Sequence, residues 1–146
     1  MANRLTKGKG LFGSLRTSGP IAADTATRKT TVTTLTDAAQ TLTAAMVVTN
    51  GGLLVGTPTA SRAKTVPTGT LTCAALKGYA VGDTFEVHVV NLAAATHPLV
   101  ITAGTGATIV GDAEVAAATS ATFKVRVSAA NTVVWTESLN LSVSDR

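Results

Sequence analysis

The chain has 146 residues, a formal net charge of +4, and only 14% charged and 3% aromatic residues. That length fits one domain, or one domain with a tail. Val, Ile, Leu and Phe number 36, about a quarter of the chain, which excludes a sequence too poor in large apolar groups to pack a core. Thr occurs 27 times and Ala 25 times, so with few charges the composition reads as β-rich. Alanine raises the mean hydropathy, but the longest apolar run is Ala44 to Val48. A spanning helix needs roughly 20 such residues, so no membrane role is expected. The single cysteine, Cys73, excludes an internal disulfide framework and reads as a small buried hydrophobe.

Residues 1–30 differ from the rest. They carry Arg4, Lys7, Lys9, Arg16, Arg28 and Lys29 against Asp24 alone, a net +5, whereas residues 31–146 sum to −1. Leu5, Leu11, Phe12, Leu15 and Ile21 follow no period of 2 or 3.6. This segment reads as a basic N-terminal arm without its own core, and residues 31–146 read as a single β domain. Met1 to Pro20 lacks the long apolar stretch of a secretory signal. With one cysteine, that suits assembly in a reducing cytoplasm.

Thr30 to Thr36 is β-branched and predicts a first strand. Thr41 to Thr49 predicts a short helix with Thr41 or Thr43 near its N-cap, stopped by Asn50-Gly51-Gly52. Leu53 to Val55 and Arg62 to Val66 predict short strands on either side of a turn at Gly56-Thr-Pro58. Thr68 to Leu76 predicts a two-turn helix capped by Thr68 or Thr70, with Leu71, Ala74 and Ala75 as its apolar face and Gly78 as its stop. Such a helix must pack on a sheet to persist.

Thr84 to Asn91 alternates, with Phe85, Val87 and Val89 inward and Glu86 and His88 outward. Ala121 to Ser128 repeats the pattern with Phe123, Val125 and Val127 inward and Lys124 and Arg126 outward. The opposite outward charges predict neighbouring strands in one sheet. Leu99 to Thr102 and Ala107 to Val110 flank Gly104-Thr-Gly106 and read as a β-hairpin. Asn131 opens a last strand with Val133 and Trp135 on one face. Turns every 8–12 residues after Val81 predict a sandwich or barrel. The expected class is mainly β: a β-sandwich or jelly-roll-like barrel with one or two short helices.

The chemistry-bearing residues assemble no catalytic set. His88 and His97 fall short of the ligand count of a zinc site. Gly104-x-Gly106 leads into a strand, not a helix, and Gly8-Lys9 lacks the P-loop frame. Asp37, Asp83 and Asp112 sit at turns, where their side chains serve backbone N–H groups. Asn140-Leu-Ser142 matches a glycosylation sequon and, without a secretory signal, reads as chance. No catalytic residue, cofactor or metal is expected. Nucleic-acid binding would rest on the arm alone and give only salt-sensitive, nonspecific contacts.

Pro67-Thr68, Leu71 to Leu76, Val81-Gly-Asp-Thr-Phe85, Val90-Asn91, Thr102-Ala-Gly-Thr-Gly106, Val110-Gly111 and Ser120 to Val127 form a pattern. It resembles the small capsid decoration (cement) and head-fibre proteins of tailed bacteriophages. Gln40-Thr-Leu-Thr-Ala-Ala45, followed by a glycine-rich turn, is also similar to them. The resemblance spans about residues 36–137 and leaves the arm uncovered. It implies a β domain assembled as a homotrimer on the outside of an icosahedral head, bound to the major capsid protein, with structural glycines at 82, 104, 106 and 111. The expected function is a noncatalytic virion protein that clamps capsid subunits. Arg4, Lys7, Lys9, Leu11, Phe12, Leu15 and Arg16 are the expected capsid-binding residues, by inference from the arm's charge and apolar anchors. The alternative is a receptor-binding or adhesive domain of a phage fibre or tail.

Overall fold

A computed structural model describes residues 29–142. The expected arm therefore falls almost wholly outside the described residues, as do its seven expected capsid-binding positions. Strand β1 covers Val32–Thr34, β2 Gln40–Thr41, β3 Leu53–Gly56, β4 Arg62–Thr65 and β5 Thr84–Asn91. Strand β6 covers Leu99–Thr102, β7 Ala107–Val110, β8 Glu114–Val115, β9 Thr119–Ala129 and β10 Thr132–Ser142. Helix α1 spans Gly69–Ala75, and a π-helical turn spans Ala45–Thr49.

The strands form a six-stranded sheet ordered β1-β3-β5-β9-β10-β7 and a four-stranded sheet ordered β2-β4-β6-β8. Together they make the mainly β, sandwich-like fold that the sequence predicts. From β1 to β6 the chain changes sheet at each connection, and among these strands neighbours within a sheet are two strands apart in sequence. A chain that goes up one sheet and returns through the other re-enters the first in its original direction. That is why β1, β3 and β5 pair in parallel, as do β2, β4 and β6. The β7–β10 pair is also parallel, while β5–β9, β9–β10 and β6–β8 are antiparallel. This mixture departs from the all-antiparallel order of a jelly roll.

The inward-facing residues of both sheets join one core. Phe123, Val125, Val127, Val87, Val89, Val133 and Trp135 come from the large sheet, and Leu99, Ile101 and Val115 from the small one. Phe123 and Trp135 pack with tilted rings, their centroids 6.2 Å apart, a favoured aromatic geometry. The predicted alternation of β5 and β9 holds along both strands. Glu86 lies directly opposite Lys124 in the register, and Thr84 opposite Arg126.

Three sequence expectations are corrected. Leu99–Thr102 and Ala107–Val110 do not form a hairpin: β6 pairs with β4 and β8, whereas β7 pairs with β10 in the other sheet. The glycines between them instead permit close backbone packing. A Cβ on Gly104 would collide with the Val66 carbonyl, and one on Gly69 with the Asn131 and Gly106 carbonyls. Gly69 N–H bonds Thr105 C=O and Val133 N–H bonds Gly106 C=O, so this turn knits the start of α1 to the start of β10.

The second correction concerns the buried face of α1. Thr68 caps it as expected, its hydroxyl accepting from Leu71 N–H at 3.2 Å. The residues it buries are Gly69, Thr72 and Cys73, while Leu71 is 56% exposed. Thr72 can face inward because its hydroxyl donates to Thr68 C=O at 3.0 Å. The third concerns residues 41–49. Thr41 belongs to β2, and the helical turn starts later and winds as a π-turn, with Asn50 N–H bonding Ala45 C=O at 2.8 Å. Thr43 does serve this turn, accepting from Met46 N–H at 3.3 Å.

Candidate attachment surface

Two sets of polar side chains bear on function: those that bind loops to sheets, and those on the outer face of the large sheet. The first group is more extensive than the sequence suggests. Asp37 accepts from Thr59 N–H at 3.1 Å, from the Thr59 hydroxyl at 2.5 Å and from Arg62 Nε at 2.7 Å. These contacts, the guanidinium first, hold the Asp37 carboxyl well below its ordinary 3.8. Asp83 accepts from Ala80 N–H, and Asp112 from Glu114 N–H, which are the turn roles predicted for both. Glu137 accepts from Asp112 N–H at 3.0 Å and so ties the β7–β8 turn to β10.

Two buried polar residues escaped the sequence reading. Lys64 is fully buried. Its ammonium donates to Thr36 C=O at 2.6 Å, to Ala38 C=O at 2.7 Å and to Gln40 Oε1 at 3.3 Å. Desolvation lowers its pKa from 10.5. A signal was present: in a strand that places Val66 in the core, Lys64 two residues earlier shares that face. Asn91 is also fully buried, donating through Nδ2 to His97 C=O and Val115 C=O and accepting from Ala93 N–H. It continues the inward series Phe85, Val87, Val89, and so stands where alternation would place an apolar residue. Its bonds fasten the loop from β5 to β6.

The second group covers the outer face of the large sheet. His88 Nδ1 lies 3.0 Å from the Thr122 hydroxyl, and its Nε2 lies 3.9 Å from Glu86 Oε2. Lys124 and Arg126 are exposed on β9 beside them. Apolar residues share this face: Val32 is 57% exposed and Val110 48% exposed, one on each edge strand. Near the start of β5 an open groove of about 480 Å³ is lined by Thr30, Gly51, Leu53, Glu86, His88 and Lys124. Near its end a more apolar cleft of about 330 Å³ is lined by Val90, Leu92, Ala118 and Ser120 among others.

The described part of the chain is electrically balanced. Residues 29–142 hold six basic residues (Lys29, Arg62, Lys64, Lys77, Lys124, Arg126) and six acidic ones (Asp37, Asp83, Glu86, Asp112, Glu114, Glu137), a net charge of zero. Such a surface favours contact with a partner over steering toward a strongly charged one. His88 stands on the outer face and His97 in a loop, as expected, in different elements. Cys73 is buried, as expected. No protein-family model, curated protein or solved structure matches the chain.

Proposed function

We propose that the chain is a noncatalytic virion structural protein. In this reading it is a decoration or cement protein, seated as a homotrimer on the outer surface of a tailed-phage head and stabilising contacts between major capsid subunits. The observation that carries the reading is where the resembling motif falls in the fold. Its positions are joints. Gly82 and Gly111 take φ of +104° and +100°, Asp83 closes the turn before β5, and Asn91 pins the following loop. Gly104 and Gly106 occupy the packed corner between the sheets. A motif made of fold-defining joints supports a role in which the shape of the domain is the product.

The arm supplies the attachment. Its charge of +5 against a neutral body separates an attachment strap from the module it tethers. Arg4, Lys7, Lys9 and Arg16 engage acidic groups of the capsid, and Leu11, Phe12 and Leu15 act as apolar anchors. Three such straps on one trimer multiply weak contacts. Deleting residues 1–20 tests this: the trimer is expected to remain folded, as judged by sedimentation and circular dichroism, and to lose occupancy on heads. Undiminished occupancy would remove the arm from the mechanism.

A further inference from the structure

Gln40 and Lys64 stand directly opposite one another in the parallel β2–β4 register, so their side chains leave adjacent strands on one face. Lys64 Nζ lies 3.3 Å from Gln40 Oε1. Two further donors converge on that oxygen: Thr36 N–H and the Thr36 hydroxyl each bond it at 3.1 Å. A backbone N–H can only donate, so the atom it meets is the carbonyl oxygen of the carboxamide and not its nitrogen. The Gln40 carbonyl is thus held by a backbone N–H, a hydroxyl and an amine nitrogen. Donors placed in this way stabilise the negative charge that grows on an oxygen during addition to a carbonyl. Lys64 is the group able to add. It is fully buried, and burial lowers its pKa from 10.5, with neighbouring Arg62 acting the same way and Asp37 against it. Burial and Arg62 enlarge the share of neutral amine, which is the nucleophilic form.

We propose that Lys64 and Gln40 join through an isopeptide bond, a covalent staple between β2 and β4. The carbon attacked, Gln40 Cδ, is one C=O bond, about 1.23 Å, from Oε1. A modest turn of the carboxamide therefore brings Nζ to the roughly 3–3.5 Å of a near-attack contact. The neutral amine adds through its lone pair, forming the Nζ–Cδ bond while the carbonyl electron pair moves onto Oε1, where Thr36 holds it. Collapse restores the carbonyl and breaks the bond from Cδ to the carboxamide nitrogen. Nζ releases one proton to water before it adds and a second after, and the departing nitrogen takes up two and leaves as ammonium. One carboxamide and one lysine ammonium become one secondary amide and one ammonium ion, with no co-reactant. The bonds from Nζ to Thr36 C=O and Ala38 C=O, at 2.6 and 2.7 Å, favour the charged form. The neutral amine is therefore a minority, and the pair joins on ageing, after the fold is complete. The staple ties residues 24 apart in sequence and acts, as a crosslink does, by restricting the unfolded chain.

The inference concerns the domain alone, so its failure and the failure of the head-attachment reading are separable. The test is mass spectrometry of the purified full chain, fresh and after several weeks at neutral pH. A growing fraction is expected to be lighter than the sequence by one ammonia. In that fraction trypsin should leave Lys64 uncut, with residues 63–77 joined to residues 30–62. Gln40→Ala, at a half-exposed position, is expected to keep its full mass. Thr36→Val removes one donor to Oε1 from an exposed residue and should slow the joining about tenfold or more. A parent mass unchanged over those weeks would overturn the inference. So would an ammonia loss that persists in Gln40→Ala, or that maps to Asn50-Gly51, where the asparagine side chain can close on the next backbone nitrogen. Joining at the parent rate in Thr36→Val would overturn the assignment of Thr36 as the group that activates the carbonyl.

Discussion

Replacing Lys64 with Met leaves the volume of the side chain almost unchanged and removes three donated hydrogen bonds. The ammonium serves two backbone carbonyls, of Thr36 and Ala38, and the Gln40 side chain. Each buried acceptor left unpaired costs about 1–3 kcal/mol. Against this stands the desolvation of the ammonium itself, several kcal/mol for an isolated buried ion, which Met avoids. Gln40 can turn to solvent because it is half-exposed, so the loss rests on the two carbonyls, about 2–6 kcal/mol, and the desolvation that Met avoids brings the net to roughly 1–3 kcal/mol. With a urea dependence of about 1–3 kcal/mol per molar, the unfolding midpoint of Lys64→Met should fall by about 1 M. The same residue gives an alkaline signature. Burial lowers its pKa in the folded state from 10.5, so just below 10.5 the unfolded chain binds more protons than the folded one. Stability of the unaltered protein should therefore rise with pH through that window, and Lys64→Met should remove the rise. A variant as stable as the parent, with an unchanged alkaline profile, would refute the role of Lys64 as the staple of residues 36–40.

The other predictions probe separate joints. Asn91→Ala leaves Val115 C=O, His97 C=O and Ala93 N–H without their partner and should cost about 2–4 kcal/mol in denaturant unfolding; a change under about 1 kcal/mol would mean that water replaces it. Asp37 is held ionised by Arg62 and Thr59, so its contribution is present above pH 3.8 and is lost as pH falls toward its lowered folded value. Urea midpoints between pH 2 and 5 should show this loss in the parent and not in Asp37→Asn. Gly69→Ala would drive a Cβ into two backbone carbonyls, whereas Gly78, at φ +71°, has open space around its added Cβ. Gly78→Ala should cost about 1–2 kcal/mol in backbone strain, and Gly69→Ala distinctly more; comparable thermal midpoints for the two would contradict the packed corner.

What the sequence shows and what it hides follow from the range of the interactions. The strands β5, β9 and β10 were legible because alternation over many residues is a local signal, and Thr68 was legible as a cap because its partner lies three residues away. The separation of β6 from β7 was not. Gly104-Thr-Gly106 has the composition of a hairpin turn, but its glycines serve contacts with Val66 and Gly69, distant in sequence. The inward Lys64 was masked by the prior that lysine faces water. Its partners lie 24 to 28 residues earlier, and no periodicity reports them. On the candidate surface, the pairing of Glu86 with Lys124 could be read from their opposite charges on matching strands. The groove beside it could not, because it is made by the positive φ values of Gly51 and Gly52 acting on a strand that begins 32 residues after Gly52.

The central claim is that this neutral β module works by position on a virus head. Under the proposed function the chain belongs to a tailed-phage particle, and an image reconstruction of such particles tests it most directly. The account predicts extra density on the outer surface at threefold or quasi-threefold positions, each fitted by three copies of the sandwich with straps running onto the major capsid subunits. Heads bare of that density, or density for the domain only at a tail or fibre tip, would contradict it.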